Sequence, residues 1–162
     1  MAAMIAAIMA VMTACGIYSF TGASYGTAKT VAIDYFQNRS TYVNSTLSSK
    51  ITEDLKDRFM SQTPLTLVKD GGDLHFEGTI TGYTITTAAI KAGETAASNR
   101  LTITLKVTFT NQTAPENDFD KSYSRYADYD VSQSFSSVES ALVDEIVEQL
   151  IDDIFNDSVV NW

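Results

Sequence analysis

Between Leu101 and Thr110 the chain alternates without a break. Leu101, Ile103, Leu105, Val107 and Phe109 are apolar, and Thr102, Thr104, Lys106, Thr108 and Thr110 are polar. Side chains of an extended strand point to opposite faces in turn, so this stretch has one apolar face and one wet face. The apolar row must be covered by a second layer, and the polar row is half exposed. The fold must therefore contain a sheet sealed on one side.

The remaining pattern says what seals it. Thr30 to Phe36 predicts a first strand, with Val31, Ile33 and Tyr35 sharing one face. Asn38, Ser40 and Asn44 are turn signals, and Asn44 or Ser45 can cap a helix running to about Met60. Leu47, Ile51, Leu55 and Phe59 form its buried stripe, while Lys50, Glu53, Asp54 and Asp57 face water. Pro64 stops it. Leu65 to Lys69 is a short extended run opening a hairpin, and Asp70-Gly71-Gly72-Asp73 is a turn.

Leu74 to Thr87 is a long strand whose phase changes near Gly82, which predicts a bulge there. Ala88 to Ser98 is a loop of small residues, and Asn111 to Asn117, with Pro115, is a hairpin loop. Phe119 to Tyr126 is a last, more polar strand. Ser136 and Glu139 fit a capping box opening the final helix. Leu142, Ile146, Leu150 and Ile154, beside Val143, Val147, Ile151 and Phe155, give that helix a wide apolar face. The expected fold is α+β, a two-layer sandwich in which two helices pack on one face of a four-stranded mixed sheet, in β-α-β-β-β-α order.

The first residues tell a different story. Met1 to Ala14 is an uncharged apolar run, too short to span a bilayer, which takes about 20 residues. It suits the apolar core of a signal peptide, and no Lys or Arg precedes it. Met12-Thr13-Ala14-Cys15 has the small-residue spacing of a cleavage site with cysteine just beyond the cut. This arrangement resembles a bacterial lipobox, in which the thiol receives a diacylglycerol. At about 0.8 kcal/mol per buried methylene, two or three acyl chains make a lasting anchor. The other reading is a buried apolar helix with a small core cysteine. The expected organisation is a signal peptide at 1–14, a lipid-anchored tether at 15–29 and a single domain at 30–162. One cysteine leaves no intrachain disulfide framework. A net charge of −9 disfavours sequence-independent binding to a phosphate backbone, so no nucleic-acid partner is expected.

Several stretches together resemble the LptE family, the lipopolysaccharide-assembly lipoproteins of the outer membrane. They are Cys15-Gly16-Ile17-Tyr18-Ser19-Phe20, Gly71 to Gly78, Asn99 to Ile103, Phe119 to Tyr126, and the helix Val138 to Phe155 with the tail Val159 to Trp162. The resemblance implies a non-enzymatic protein on the inner leaflet of the outer membrane, facing the periplasm and the barrel lumen. Such proteins plug the LptD β-barrel, help it fold, and assist transport of lipopolysaccharide or lipooligosaccharide to the cell surface. It implies no cofactor beyond the acyl modification of Cys15. A second reading is a lipid-anchored periplasmic binding module with a different partner on its open sheet face.

Candidate contacts for lipopolysaccharide phosphates or acidic barrel-wall groups are Lys106, Lys121 and Arg125. They also suit solvated surface charge or gatekeeping of strand edges. Tyr123, Tyr126 and Tyr129 suit an interface or a half-buried strand, and Trp162 a barrel wall or a core. His75, the only histidine, has no nucleophile at triad spacing, which leaves no catalytic residue, and a structural or surface role is expected. No paired His/Cys spacing marks a metal site, and Asp118, Asp120, Asp128 and Asp130 do not match a calcium loop.

Overall fold

A computed structural model describes residues 26–42, 44–88 and 98–159. The expected signal peptide at 1–14, Cys15, the expected tether up to residue 25, residues 89–97 of the expected loop and Trp162 lie outside the described residues. The alternating stretch forms most of strand β5 (Ser98–Asn111). Its apolar row from Leu101 to Phe109 is fully buried. On one side it pairs antiparallel with β4 (Leu74–Ala88), and on the other with β6 (Phe119–Asp130). The β4–β5 register slips between Ile80 and Gly82, where the phase change predicts a bulge.

Two helices cover the apolar face. The first, α1 (Leu47–Gln62), buries Leu47, Ile51, Leu55 and Phe59. Asn44 caps it: Asn44 Oδ1 accepts from the amides of Thr46 and Leu47 at 3.0 and 3.2 Å. The second, α2 (Phe135–Val159), buries both apolar stripes from Leu142 to Phe155. Phe59 lies at the layer junction, with ring centroids 5.1 Å from both Phe76 of β4 and Phe155 of α2.

The expected capping box at the start of α2 does not form. Ser134 O accepts from both the amide and the hydroxyl of Ser137, and Ser136 is already helical. Glu139 looks away from the helix start. Its Oε1 accepts from Tyr83 OH at 2.7 Å and from Asn44 Nδ2 at 2.9 Å. The better use of this carboxylate is to join β4, α2 and the cap of α1.

The sheet has six strands rather than the expected four, in the chain order β-β-α-β-β-β-β-α. The two extra strands are too short to carry a periodic signal. β3 (Thr66–Val68) does not open a hairpin; it pairs parallel with β1 (Thr30–Ile33) at the sheet edge. β1 in turn lies parallel to β4. The expected first strand breaks in two, resuming as β2 (Gln37–Asn38), also parallel to β4.

The break is a bulge. Ile33 is opposite Phe76 and Gln37 is opposite Thr79, so residues 34, 35 and 36 face only residues 77 and 78. The extra residue reverses the parity, leaving Tyr35 exposed while Phe36 is fully buried. The Phe36 ring packs against Gly78, where any Cβ would overlap it. The Phe36 amide donates to Thr52 Oγ1 of α1 at 3.1 Å.

One carboxylate fixes the entry to β1. Asp73 Oδ2 accepts from the amides of Lys29 and Thr30, at 2.8 and 3.0 Å, and from the Thr30 hydroxyl at 3.0 Å. The Asp73 amide returns a bond to Thr30 Oγ1 at 2.9 Å. These donors hold the Asp73 carboxyl below its ordinary pKa, the Lys29 amide contributing most.

Candidate functional site

The face of the sheet away from the helices is polar across β4, β5 and β6. Register places its side chains in rows. Thr86, Arg100 and Asp128 form one row, and Thr84, Thr102 and Tyr126 the next. Thr104 and Ser124 follow, their hydroxyls 3.1 Å apart, and then Thr79, Lys106 and Ser122. The last row to include β6 is Glu77, Thr108 and Asp120, and beyond it His75 lies opposite Thr110.

Two cations are fixed within these rows. Arg100 donates to both carboxylate oxygens of Asp128 at 2.7 and 2.8 Å, and its guanidinium lies 3.6 Å over the Tyr126 ring. Asp128 raises the pKa of Arg100. Lys106 Nζ lies 3.1 Å from Asp120. Both partners are about half exposed, so this ion pair is screened by water. Beside Lys106 the β1–β2 bulge walls a cleft of about 530 Å³, lined by Asp34, Arg39, Glu77, Thr79, Lys106 and Thr108 among others.

The structure divides the five predicted contact residues between two places. Lys106 and Tyr126 lie on the open face. Lys121, Tyr123 and Arg125 have the opposite parity and point toward α2. Lys121 Nζ and Tyr123 OH both reach Asp157 Oδ2 at 3.0 Å, and Arg125 takes both oxygens of Asp153 at 2.6 and 2.7 Å. Burial, reinforced by the bond to Asp157, raises the Tyr123 hydroxyl well above its ordinary pKa. These three residues form a seam holding β6 to α2. Tyr129 is buried, with its ring 5.9 Å from that of Phe135.

The sequence reading missed Arg100 and Arg39. Arg100 has the parity of Thr102, Thr104 and Lys106, and one more step of the alternation would have placed it on the open face. No pattern announced Arg39, because β2 reaches the cleft only through the bulge. His75 also lies on the open face, with Nε2 3.3 Å from Asp34 Oδ1 and Nδ1 4.0 Å from Glu77 Oε1.

The family model for lipopolysaccharide assembly, LptE, matches residues 28–158, most of the chain. The chain belongs to the LptE family. LptE proteins are non-enzymatic, envelope-associated lipoproteins of lipopolysaccharide assembly without a known cofactor. No curated protein matches the chain significantly.

Solved structures share this fold at low identity. A hypothetical protein from Chlamydia trachomatis is 9% identical with a TM-score of 0.52, over 81% of this chain and 98% of that one. A protein from Xanthomonas campestris is 7% identical with a TM-score of 0.51, over 82% and 84%. A putative neuraminyllactose-binding hemagglutinin homolog from Helicobacter pylori is 7% identical with a TM-score of 0.52, over 81% and 83%. At these identities the likeness concerns fold alone. Among the described residues, no helix is long and apolar enough to cross a membrane.

Proposed function

We propose that this LptE-family chain is an outer-membrane lipoprotein, held in the inner leaflet by acyl chains on Cys15. In this reading residues 1–14 are the signal peptide, 15–29 the tether and 30–162 the working domain. The domain fills the lumen of an LptD-type β-barrel, helps that barrel assemble, and supports transport of lipopolysaccharide or lipooligosaccharide to the cell surface.

The observation that carries the reading, beside the family membership, is the sealed and open construction of the sheet. The lumen of an outer-membrane barrel is polar, so whatever fills it must present polar surface. Here the apolar rows are spent on the helices, and the open face offers hydroxyls from Thr84 to Ser122 between the fixed cations Arg100 and Lys106. Hydroxyls pair with either donors or acceptors, which suits a wall of mixed polarity or a saccharide. Lys106 and Arg100 supply charge for acidic wall groups or phosphates.

Affinity capture of the tagged full-length chain from native outer membranes tests this, with a Cys15→Ser version as the anchoring control. A stoichiometric large barrel protein is expected with the native chain and is lost in the control. Capture without a barrel would overturn the plug reading and leave a lipid-anchored periplasmic binding module with another partner on the open face.

A further inference from the structure

We infer that Asp34, His75 and Glu77 form a binding site for a zinc-class divalent cation on the rim of the open-face cleft. His75 and Glu77 are two residues apart on β4 and therefore share a face. Asp34 arrives from a neighbouring strand, because the bulge begins at that residue and its amide donates to Phe76 O at 2.9 Å. One donor atom from each of the three side chains lies within 4.8 Å of the other two.

The geometry is close to what a small cation needs. Zinc bonds to nitrogen and oxygen are about 2.0–2.2 Å, which puts neighbouring tetrahedral donors about 3.4 Å apart. His75 Nε2 and Asp34 Oδ1 are already 3.3 Å apart. The Glu77 side chain is largely exposed, so a rotamer change brings it in without disturbing the core.

Asp34 and Glu77 also share a single ion-pair partner, the His75 imidazole. The other ion pairs among the described residues set Lys or Arg against their carboxylates. Asp34 and Glu77 form no ion pair with Lys or Arg among the described residues; both converge on the imidazole. A divalent cation would balance them. One nitrogen with two carboxylates suits zinc and its neighbours in the transition series. It suits magnesium and calcium poorly, since these prefer all-oxygen shells of six or more ligands. Three protein ligands leave a fourth position open, as in zinc sites that accept water or an incoming group.

His75 is the only histidine, so its imidazole resonances report on the site alone. The full-length chain in detergent is titrated with zinc chloride and followed by proton–carbon NMR of the imidazole. The expected result is a shift of the His75 signals that saturates at about one equivalent, with no shift from magnesium chloride. Asp34→Asn and Glu77→Gln are each expected to need about tenfold more zinc or beyond, since even indirect support of a metal ligand carries that factor. Zinc is expected to raise the thermal midpoint of the native chain and not that of His75→Asn. Stationary His75 signals at about ten equivalents would overturn the site, as would Asp34→Asn and Glu77→Gln variants that titrate like the native chain. All three side chains are partly exposed, so the far-UV spectrum of each variant without zinc is expected to match the native one.

Discussion

Gly78 has no side chain because Phe36 occupies the space above it, and this contact can be measured by a double-mutant cycle. Gly78→Ala places a methyl inside the volume of a ring that is fully buried. Overpacking of this kind costs roughly 1–3 kcal/mol, and overlap with the ring itself puts this case near 3. Replacing a strand glycine with alanine returns about 0.5–1 kcal/mol of backbone entropy. The net loss is then about 2 kcal/mol, or roughly 8 °C in thermal midpoint for a domain of this size. Phe36→Ala alone should cost about 3–5 kcal/mol. In that background the ring is gone, and Gly78→Ala becomes neutral or slightly stabilising. The coupling between the two sites is thus about 2–3 kcal/mol, well above the scatter of additive pairs. Urea unfolding of the four chains, followed by far-UV circular dichroism, gives each value. Refutation comes if Gly78→Ala costs the same with and without the Phe36 ring, because the overlap would then not be the reason for the glycine.

Three further outcomes follow from the contacts described above. Thr52→Val keeps shape but removes the acceptor of the buried Phe36 amide, and urea unfolding should show a loss of about 1–3 kcal/mol. Burial and the carboxylates of Glu139 and Asp157 raise the hydroxyls of Tyr83 and Tyr123 above their ordinary value near 10. Above that pH the unfolded chain releases protons that the folded chain keeps, so stability falls by about 1.4 kcal/mol per pH unit for each tyrosine. Urea midpoints taken from about pH 10 upward should fall more steeply for the native chain than for Tyr83→Phe/Tyr123→Phe, and equal slopes would contradict the assignment. In barrel capture, Arg100→Gln/Lys106→Gln should reduce recovery about tenfold, while Lys121→Gln/Arg125→Gln, which leaves neutral side chains opposite Asp157 and Asp153, keeps it near native. The reverse pattern would move the interface to the β6–α2 seam.

What the sequence disclosed depended on how many residues repeat each signal. β5 has five alternations and α2 has two apolar stripes, so neither left much choice of face. Gly82 announced the register slip because long apolar rows run on both sides of it. The β1 bulge gave no such warning. Val31, Ile33 and Tyr35 continue the alternation as written, and only the packing of Phe36 against a glycine 42 positions later reverses it. Two- and three-residue strands such as β2 and β3 are set by pairing partners far along the chain, which a local period cannot express. The serine and glutamate near the start of α2 fit a capping pattern, yet Tyr83 and Asn44 offered Glu139 stronger partners across the fold. On the site, parity alone separated Lys106 and Tyr126 from Lys121, Tyr123 and Arg125. The grouping of Asp34 with His75 and Glu77 needed the fold itself.

The bracket that Asp73 forms around Lys29 and Thr30 has a mechanical consequence. In a chain tethered at Cys15, any tug between membrane and domain enters through the residues just before β1. There β1 is held on both sides, paired in parallel with β3 and β4. The Asp73 bonds precede the rungs of β1 along the chain, so a tension from that side meets them before it reaches either neighbouring strand. A domain fastened this way would have to break the Asp73 bracket before its first strand could be drawn out of the sheet.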